Sequence, residues 1–435
     1  MLIFSIKSEQ CMSVPADIAA TIVDPKAYAK EQPVQDAFTF LRREMPLAVA
    51  QPPGYDPFWV VTKHADILEV EKLGDLFHNE DRSTTLTTID ADKYVREIMG
   101  GSPNLVRSLV QMDNPDHFKY RILTQGWFLP QNLRKLEARI RQIARTFIDH
   151  MASFGGRCDF ARDVAFLYPL HVIMEVLGVP EADEPRMLRL TQELFGAADP
   201  DLNRSGTERL DTHSALASLQ ETIADFYSYF ESMTNDRRAH PRDDVASVIA
   251  NGKIDDHALG HLEAMSYYII VATAGHDTTS NTTAGGLWAL CENPDQLTKL
   301  KGDLSLIDSF IEESIRWVTP VKHFMRTATD NTELRGQKIA KGDWLMLSYP
   351  SGNRDEDVFT DPFKFDIARS PNKHVAFGYG RHVCLGQHLA RMEMRILWQE
   401  LLPRLKRVEL AGQPKRMDAS FVCGPKSVPI AYEMD

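Results

Sequence analysis

Across residues 116–300 apolar side chains return every three or four positions, as at Leu133, Leu136, Ile140, Ile143 and Phe147 with Arg, Lys and Glu between them. That is the period of helices that bury one face. The turn signals Phe154-Gly155-Gly156, Gly178-Val179-Pro180 and His240-Pro241 divide the region into several helices joined by short loops. Upstream, residues 1–24 read as an irregular N-terminal segment, 58–62 (Phe-Trp-Val-Val-Thr) as a short strand and 64–72 as a helix, which predicts a small sheet near the N-terminus. After Pro320 the pattern changes to short runs such as Trp344-Leu345-Met346-Leu347, bounded by Lys341-Gly342-Asp343 and Tyr349-Pro350, before a last helix over about 387–405. The expected fold is mainly α with small β-sheets. The 435 residues would accommodate about three average domains, but no repeat and no Gly/Ser- or Pro-rich linker divides them, so one unit is expected.

Composition narrows the class. With 43% hydrophobic and 25% charged residues the chain has apolar surface for a large core and no signature of disorder. Lys and Arg total 49 against 61 Asp and Glu, a formal charge of −12, which argues against nucleic acid as a partner. Five dispersed cysteines, Cys11, Cys158, Cys291, Cys384 and Cys423, do not form the framework of a secreted disulfide protein. The apolar run Met1-Leu2-Ile3-Phe4-Ser5-Ile6 is too short for a signal peptide, and no window reaches the roughly 18 apolar residues of a bilayer span. A cytoplasmic protein without a membrane anchor is expected.

The chemistry concentrates in Phe377-Gly378-Tyr379-Gly380-Arg381-His382-Val383-Cys384-Leu385-Gly386, where three glycines and a cysteine precede an amphipathic helix. Glycines let backbone approach a flat ligand, and a cysteine at a helix start has its sulfur near unpaired N–H groups, which favours the thiolate. Such a sulfur can ligate iron from beneath a porphyrin. A dinucleotide loop is rejected because its third glycine falls on Val383, whereas a zinc site from His374, His382, Cys384 and His388, or a nucleophilic Cys–His pair, stays open as a weaker alternative. Upstream, Ala274-Gly275-His276-Asp277-Thr278-Thr279 lies inside a helical region over about 255–290, roughly 50 Å long at about 1.5 Å per residue. Poor helix formers clustered there are tolerated if the Thr278 hydroxyl turns back to the carbonyl near Ala274 and widens the helix, making room for dioxygen and water; the alternative is a polar loop between two helices. A third element, Glu313 with Arg316, can meet at i, i+3 on a helix, although such a pair alone carries little information.

Together and in this order, the three elements resemble the cytochrome P450 monooxygenase family: F-x-x-G-x-x-x-C-x-G at 377–386, A-G-x-D-T at 274–278 and E-x-x-R at 313–316. The resemblance implies a single P450 domain over 25–435 and a haem b whose axial thiolate, and only protein ligand to the iron, is Cys384. Phe377, Gly378, Ala274 and Gly275 would lie against the haem. Thr278 and Asp277 would be the alcohol and acid that handle dioxygen and its protons. His117, Arg121, Arg326 and His374 would hold the propionates, with His382 a weaker candidate, and Glu313, Arg316 and Arg369 would form a structural cluster beneath the haem.

Within the family, residues 277–281, 320–327, 348–355, 388–393 and 422–429 look most like bacterial monoterpene hydroxylases of the α-terpineol type. By that likeness the pocket wall comes from loop 86–105, the region 194–199, Ile270, Ala274, Val321, Phe421 and Val422, apolar enough for a small hydrophobic substrate such as a terpene alcohol or an aromatic hydrocarbon. A steroid or fatty-acid hydroxylase of the same family is the alternative; a zinc or Cys–His hydrolase and a non-catalytic haem sensor are rivals of other classes. The sequence shows no flavin or iron–sulfur motif, so electrons are expected from NAD(P)H through a reductase and a 2Fe–2S ferredoxin docking near Lys119, Arg381 and Arg391. A monomer is expected.

Overall fold

The protein is described here by a computed structural model covering residues 12–207 and 212–435; the Met1 to Ile6 run and Cys11 lie outside the described residues. Its helices form where the apolar period is strongest. Glu137–Ser153 buries Ile140, Ile143, Ala144, Ile148 and Met151 on one side and packs against Gln387–Arg404. Leu167–Leu177 is apolar almost all round, is correspondingly buried, and ends on Gly178 at φ 89, a left-handed cap that favours glycine. Asp277–Glu292 is buried along most of its length against Ile307–Val318 and Leu167–Leu177.

The strand read at 58–62 is Phe58–Val61, and it joins strands far away in sequence. A five-stranded sheet runs Leu47–Ala50, Phe58–Val61, Trp344–Ser348, His323–Ala328, Phe77–His78. Its one parallel pairing sets Leu345 beside Trp59, and the other neighbours are antiparallel. Arg157–Asp159, Pro429–Met434 and Leu405–Leu410 form a second sheet that ties the C-terminus to the helical core. Helices thus dominate, with several small sheets. Among the described residues no helix is long and apolar enough to cross a membrane.

Two expectations need correction. Residues 1–24 are not irregular throughout, because Ala16–Thr21 is helical and buries Ala19. The helix expected over 255–290 is two: a hairpin of Lys253–Ile254 and His257–Ala258 precedes His261–Ala274, and a break at Gly275 and His276 separates that helix from Asp277–Glu292. The cause of the break is local. The Thr278 hydroxyl donates to the Ala274 carbonyl at 2.8 Å, as expected from the sequence, and so takes an acceptor of the main-chain ladder.

Candidate active site

The loop before Gln387–Arg404 is shaped by its glycines. Gly378 and Gly380 have φ 67 and 66, and a Cβ on Gly380 would sit 2.4 Å from the Glu71 carbonyl oxygen. The Cys384 N–H donates to the Phe377 carbonyl at 2.9 Å, closing the turn so that Cys384 reaches the wall of a cavity of about 490 Å³. The N–H groups of Gly386 and Gln387 face its sulfur, as a helix start predicts, yet burial outweighs them and pushes the thiol up. Cys158 and Cys291 are pushed up to about 12 by burial, and Cys423 is raised too.

Across the cavity stands the broken helix. Ala274, Gly275, Thr278, Thr279 and Thr282 line it, with Ile270 one turn earlier. Asp277 is fully buried but points away from the cavity wall, where its Oδ2 lies 3.3 Å from His276 Nδ1 and neither carboxylate oxygen makes a regular hydrogen bond. His276 is itself fixed by the Phe166 carbonyl at 2.9 Å on Nε2 and the Thr191 hydroxyl at 3.0 Å on Nδ1. Thr278 and Asp277 are adjacent in sequence, but only Thr278 faces the cavity. Another acid does line it: Glu393, buried, with Oε2 unpartnered and its carboxyl pushed well up by burial despite a hydrogen bond with Thr279. Its sequence signal, a lone Glu between Met392 and Met394 on a buried helix stripe, passed unread.

One edge of the cavity is polar. His117, Arg121, Arg326 and His382 line it. The His117 and His382 rings lie 4.1 Å apart, and Nε2 of each is buried with no hydrogen-bond partner. Burial, aided by Arg121, holds His117 down at about 4, and burial, aided by Arg326, holds His382 well below the usual imidazole range. His374 is a correction: it is absent from this wall, and its Nε2 meets Glu312 at 3.0 Å. Arg391 also grips Glu312, and although burial favours the neutral acid, the two partners win and hold Glu312 at about 2. His382, ranked below His374 from sequence, occupies the position expected of His374. A flat group with anionic substituents at one edge and a metal above sulfur fits this donor set: one enclosed thiol, two arginines and two unpartnered imidazoles. The zinc alternative does not fit, because His388 is exposed, His374 is turned away, and no group of three or more metal-ligating side chains forms among the described residues.

Beneath the loop, Glu313 accepts from Arg316 at 2.7 and 2.8 Å, from Arg369 at 3.1 Å, from Asn372 at 3.1 Å and from the Asp366 N–H at 2.9 Å. Arg316 also donates to the carbonyls of Asn353 and Pro362. The cluster braces the chain leading into the Cys384 loop. Val321, Phe421, Val422, Leu194 and Phe195 line the cavity, as do Thr87, Val95 and Leu105; the stretch 86–105 expected as a loop is in part a helix, Ile89–Ile98, which carries Val95. Asp199 does not; Lys426 holds both of its oxygens at 2.8 Å. The expected docking cations are already paired, Lys119 with Asp255, Arg381 with Asp75 and Arg391 with Glu312.

Comparison with known proteins agrees with this geometry. The cytochrome P450 family model matches residues 92–431. Cytochrome P450-terp from a Pseudomonas species is 49% identical over 420 residues, covering 97% of this chain and 98% of that protein. The crystal structure of CYP108D1 from Novosphingobium aromaticivorans superposes with a TM-score of 0.89 at 45% identity, covering 98% of this chain and all of the other. CYP268A2 of Mycobacterium marinum, solved in complex with pseudoionone, gives 0.85 at 31% identity with 99% of each chain covered. The chain belongs to the cytochrome P450 family and is an oxygen-using, haem-dependent monooxygenase.

Proposed function

We propose that this P450 hydroxylates a small, uncharged terpene alcohol or aromatic hydrocarbon, using electrons passed from NAD(P)H through a reductase and a 2Fe–2S ferredoxin. The observation that carries the substrate class is the cavity: the same enclosed space of about 490 Å³ must take both the macrocycle and the substrate, and its far wall is Ile270, Val321, Leu194, Phe195, Phe421 and Val422. Apolar walls select by shape, and the cations that line the cavity, Arg121 and Arg326, are the expected propionate donors, which leaves no cation there for a fatty-acid carboxylate. The likeness to a protein named P450-terp, and to one solved in complex with pseudoionone, supports the same class.

Cys384 would hold the iron, while Arg121, Arg326, His117 and His382 would hold the propionates. When bound, the haem activates dioxygen, one atom of which enters a substrate C–H bond while the other leaves as water. The protein supplies position and protons. The Thr278 hydroxyl spends its one hydrogen-bond donor on the Ala274 carbonyl, so it presents lone pairs to the cavity and can orient a water there. Glu393, which lines the cavity and meets Thr279, would carry protons to that position, and Asp277, buried behind the wall against His276, would relay them inward.

A spectral titration of the purified holoenzyme against terpenes, aromatic hydrocarbons, fatty acids and steroids tests the reading. Terpenes or aromatic hydrocarbons should displace water from the iron, give the low-to-high-spin change and yield hydroxylated product with a ferredoxin system. A shift with steroids or long fatty acids only would sink the substrate class, and spectral shifts without product would favour a sensor.

A further inference from the structure

At the same edge of the cavity as the propionate donors stands a carboxyl of the opposite sign. Glu71, in the last turn of His64–Lys72, lines the cavity with its side chain 2% exposed. Its Oε1 accepts from the Tyr349 hydroxyl at 2.7 Å and lies 3.6 Å from Arg326 Nη2, while Oε2 is buried with no hydrogen-bond partner. A buried oxygen left open beside Arg326 needs an explanation, because such atoms are nearly always paired.

Charge bookkeeping supplies it. A haem would bring two propionates to an edge whose permanent cations are Arg121 and Arg326. An ionised Glu71 would be a third carboxylate sharing two guanidinium groups away from water, and like charges in such a site do not all stay ionised. A protonated carboxyl would instead be a donor. We propose that Glu71 is a haem-propionate ligand in its neutral form, keeping Oε1 on Tyr349 and donating the Oε2 proton to a propionate oxygen.

The groups facing Glu71 agree. Burial already raises it to about 7, against the lowering pull of Arg326, the Tyr349 hydroxyl and the Tyr379 N–H, and a propionate adds a further push in the same direction. Gly378 keeps the approach open: a Cβ there would stand 3.2 Å from Glu71 Oε1.

The inference rests on the haem-binding reading of the site, which the Soret band of the reduced, carbon monoxide-bound protein checks separately for each variant. In the holoenzyme at neutral pH, infrared difference spectra between wild type and Glu71→Gln should show a protonated carboxyl band, shifted in heavy water and missing from the variant. Haem transfer to apomyoglobin should be roughly as slow for Glu71→Gln, whose amide can still donate, and at least about tenfold faster for Glu71→Val, which cannot. An ionised-carboxylate signature for Glu71 in the holoenzyme, or haem release from Glu71→Val at the wild-type rate, would overturn the assignment. If Glu71→Val does not fold, the infrared comparison decides alone.

Discussion

Thr278 shows how much one hydroxyl settles. By donating to Ala274 it both takes an acceptor from the helix ladder and turns its lone pairs toward the cavity, so a single hydrogen bond shapes the helix and the reacting face. Thr278→Ala should leave haem binding intact but uncouple turnover, with product formed per reductant consumed falling at least about tenfold, as removal of a positioned proton-handling group does. Thr278→Ser should retain most of the coupling. Measuring product against NAD(P)H consumption checks both, and unchanged coupling in the alanine variant would remove the role. Cys384 is the opposite case: burial raises its thiol against the pull of the Gly386 and Gln387 N–H groups and of Arg121 and Arg391.

At the scale of elements, the Glu313 cluster does for the Cys384 loop what capping does for a helix. Ile307–Val318 contributes the acid and Arg316, while the stretch after Trp344–Ser348 contributes Arg369, Asn372 and the carbonyls that Arg316 grips. An isolated surface pair of this kind is worth little, but this one has no exposed partner side: Glu313 and Arg316 are fully buried. Glu313→Gln leaves two guanidinium groups short of their counter-charge and should cost about 3–5 kcal/mol of stability, read from denaturant unfolding of the holoenzyme. A loss below about 1 kcal/mol, the range of exposed pairs, would show that the cluster does not brace the loop.

For the whole molecule, one cavity organises the fold. Five separate stretches supply its polar edge and floor: Glu71, His117 with Arg121, Arg326, Glu393, and the loop from Phe377 to Leu385. Three polar atoms at that edge, Glu71 Oε2, His117 Nε2 and His382 Nε2, have no hydrogen-bond partner within the protein, so haem binding and folding are linked. Haem-depleted protein should unfold at lower denaturant than the holoenzyme, by about 4 kcal/mol when free haem is roughly a thousandfold above its dissociation constant, and re-addition of haem should restore the midpoint. Equal midpoints would mean that the polar edge is satisfied without the cofactor.

What could be read in advance was whatever is contiguous along the chain. The Cys384 loop, the Thr278 back-bond and the Glu313–Arg316 pair each lie within ten residues, so backbone geometry and helix period suffice to relate their parts, and the same is true of the 64–72 helix and the strand at 58. The apolar period likewise showed which helices are buried. It left the break at Gly275 open, because the polar run from Gly275 to Thr283 reads as a strained helix or as a loop, and the Thr278 hydrogen bond with the grip of Phe166 and Thr191 on His276 decides it. Nor could it choose between His374 and His382, which are eight residues apart with the same chemistry; packing turned one to Glu312 and the other to the cavity. Glu71 and Glu393 were hidden for the same reason. A carboxylate in a helix stripe has no local signature of what it faces, and whether it ends in solvent, in an ion pair or against a cofactor depends on side chains hundreds of residues away, which only the tertiary structure brings within reach.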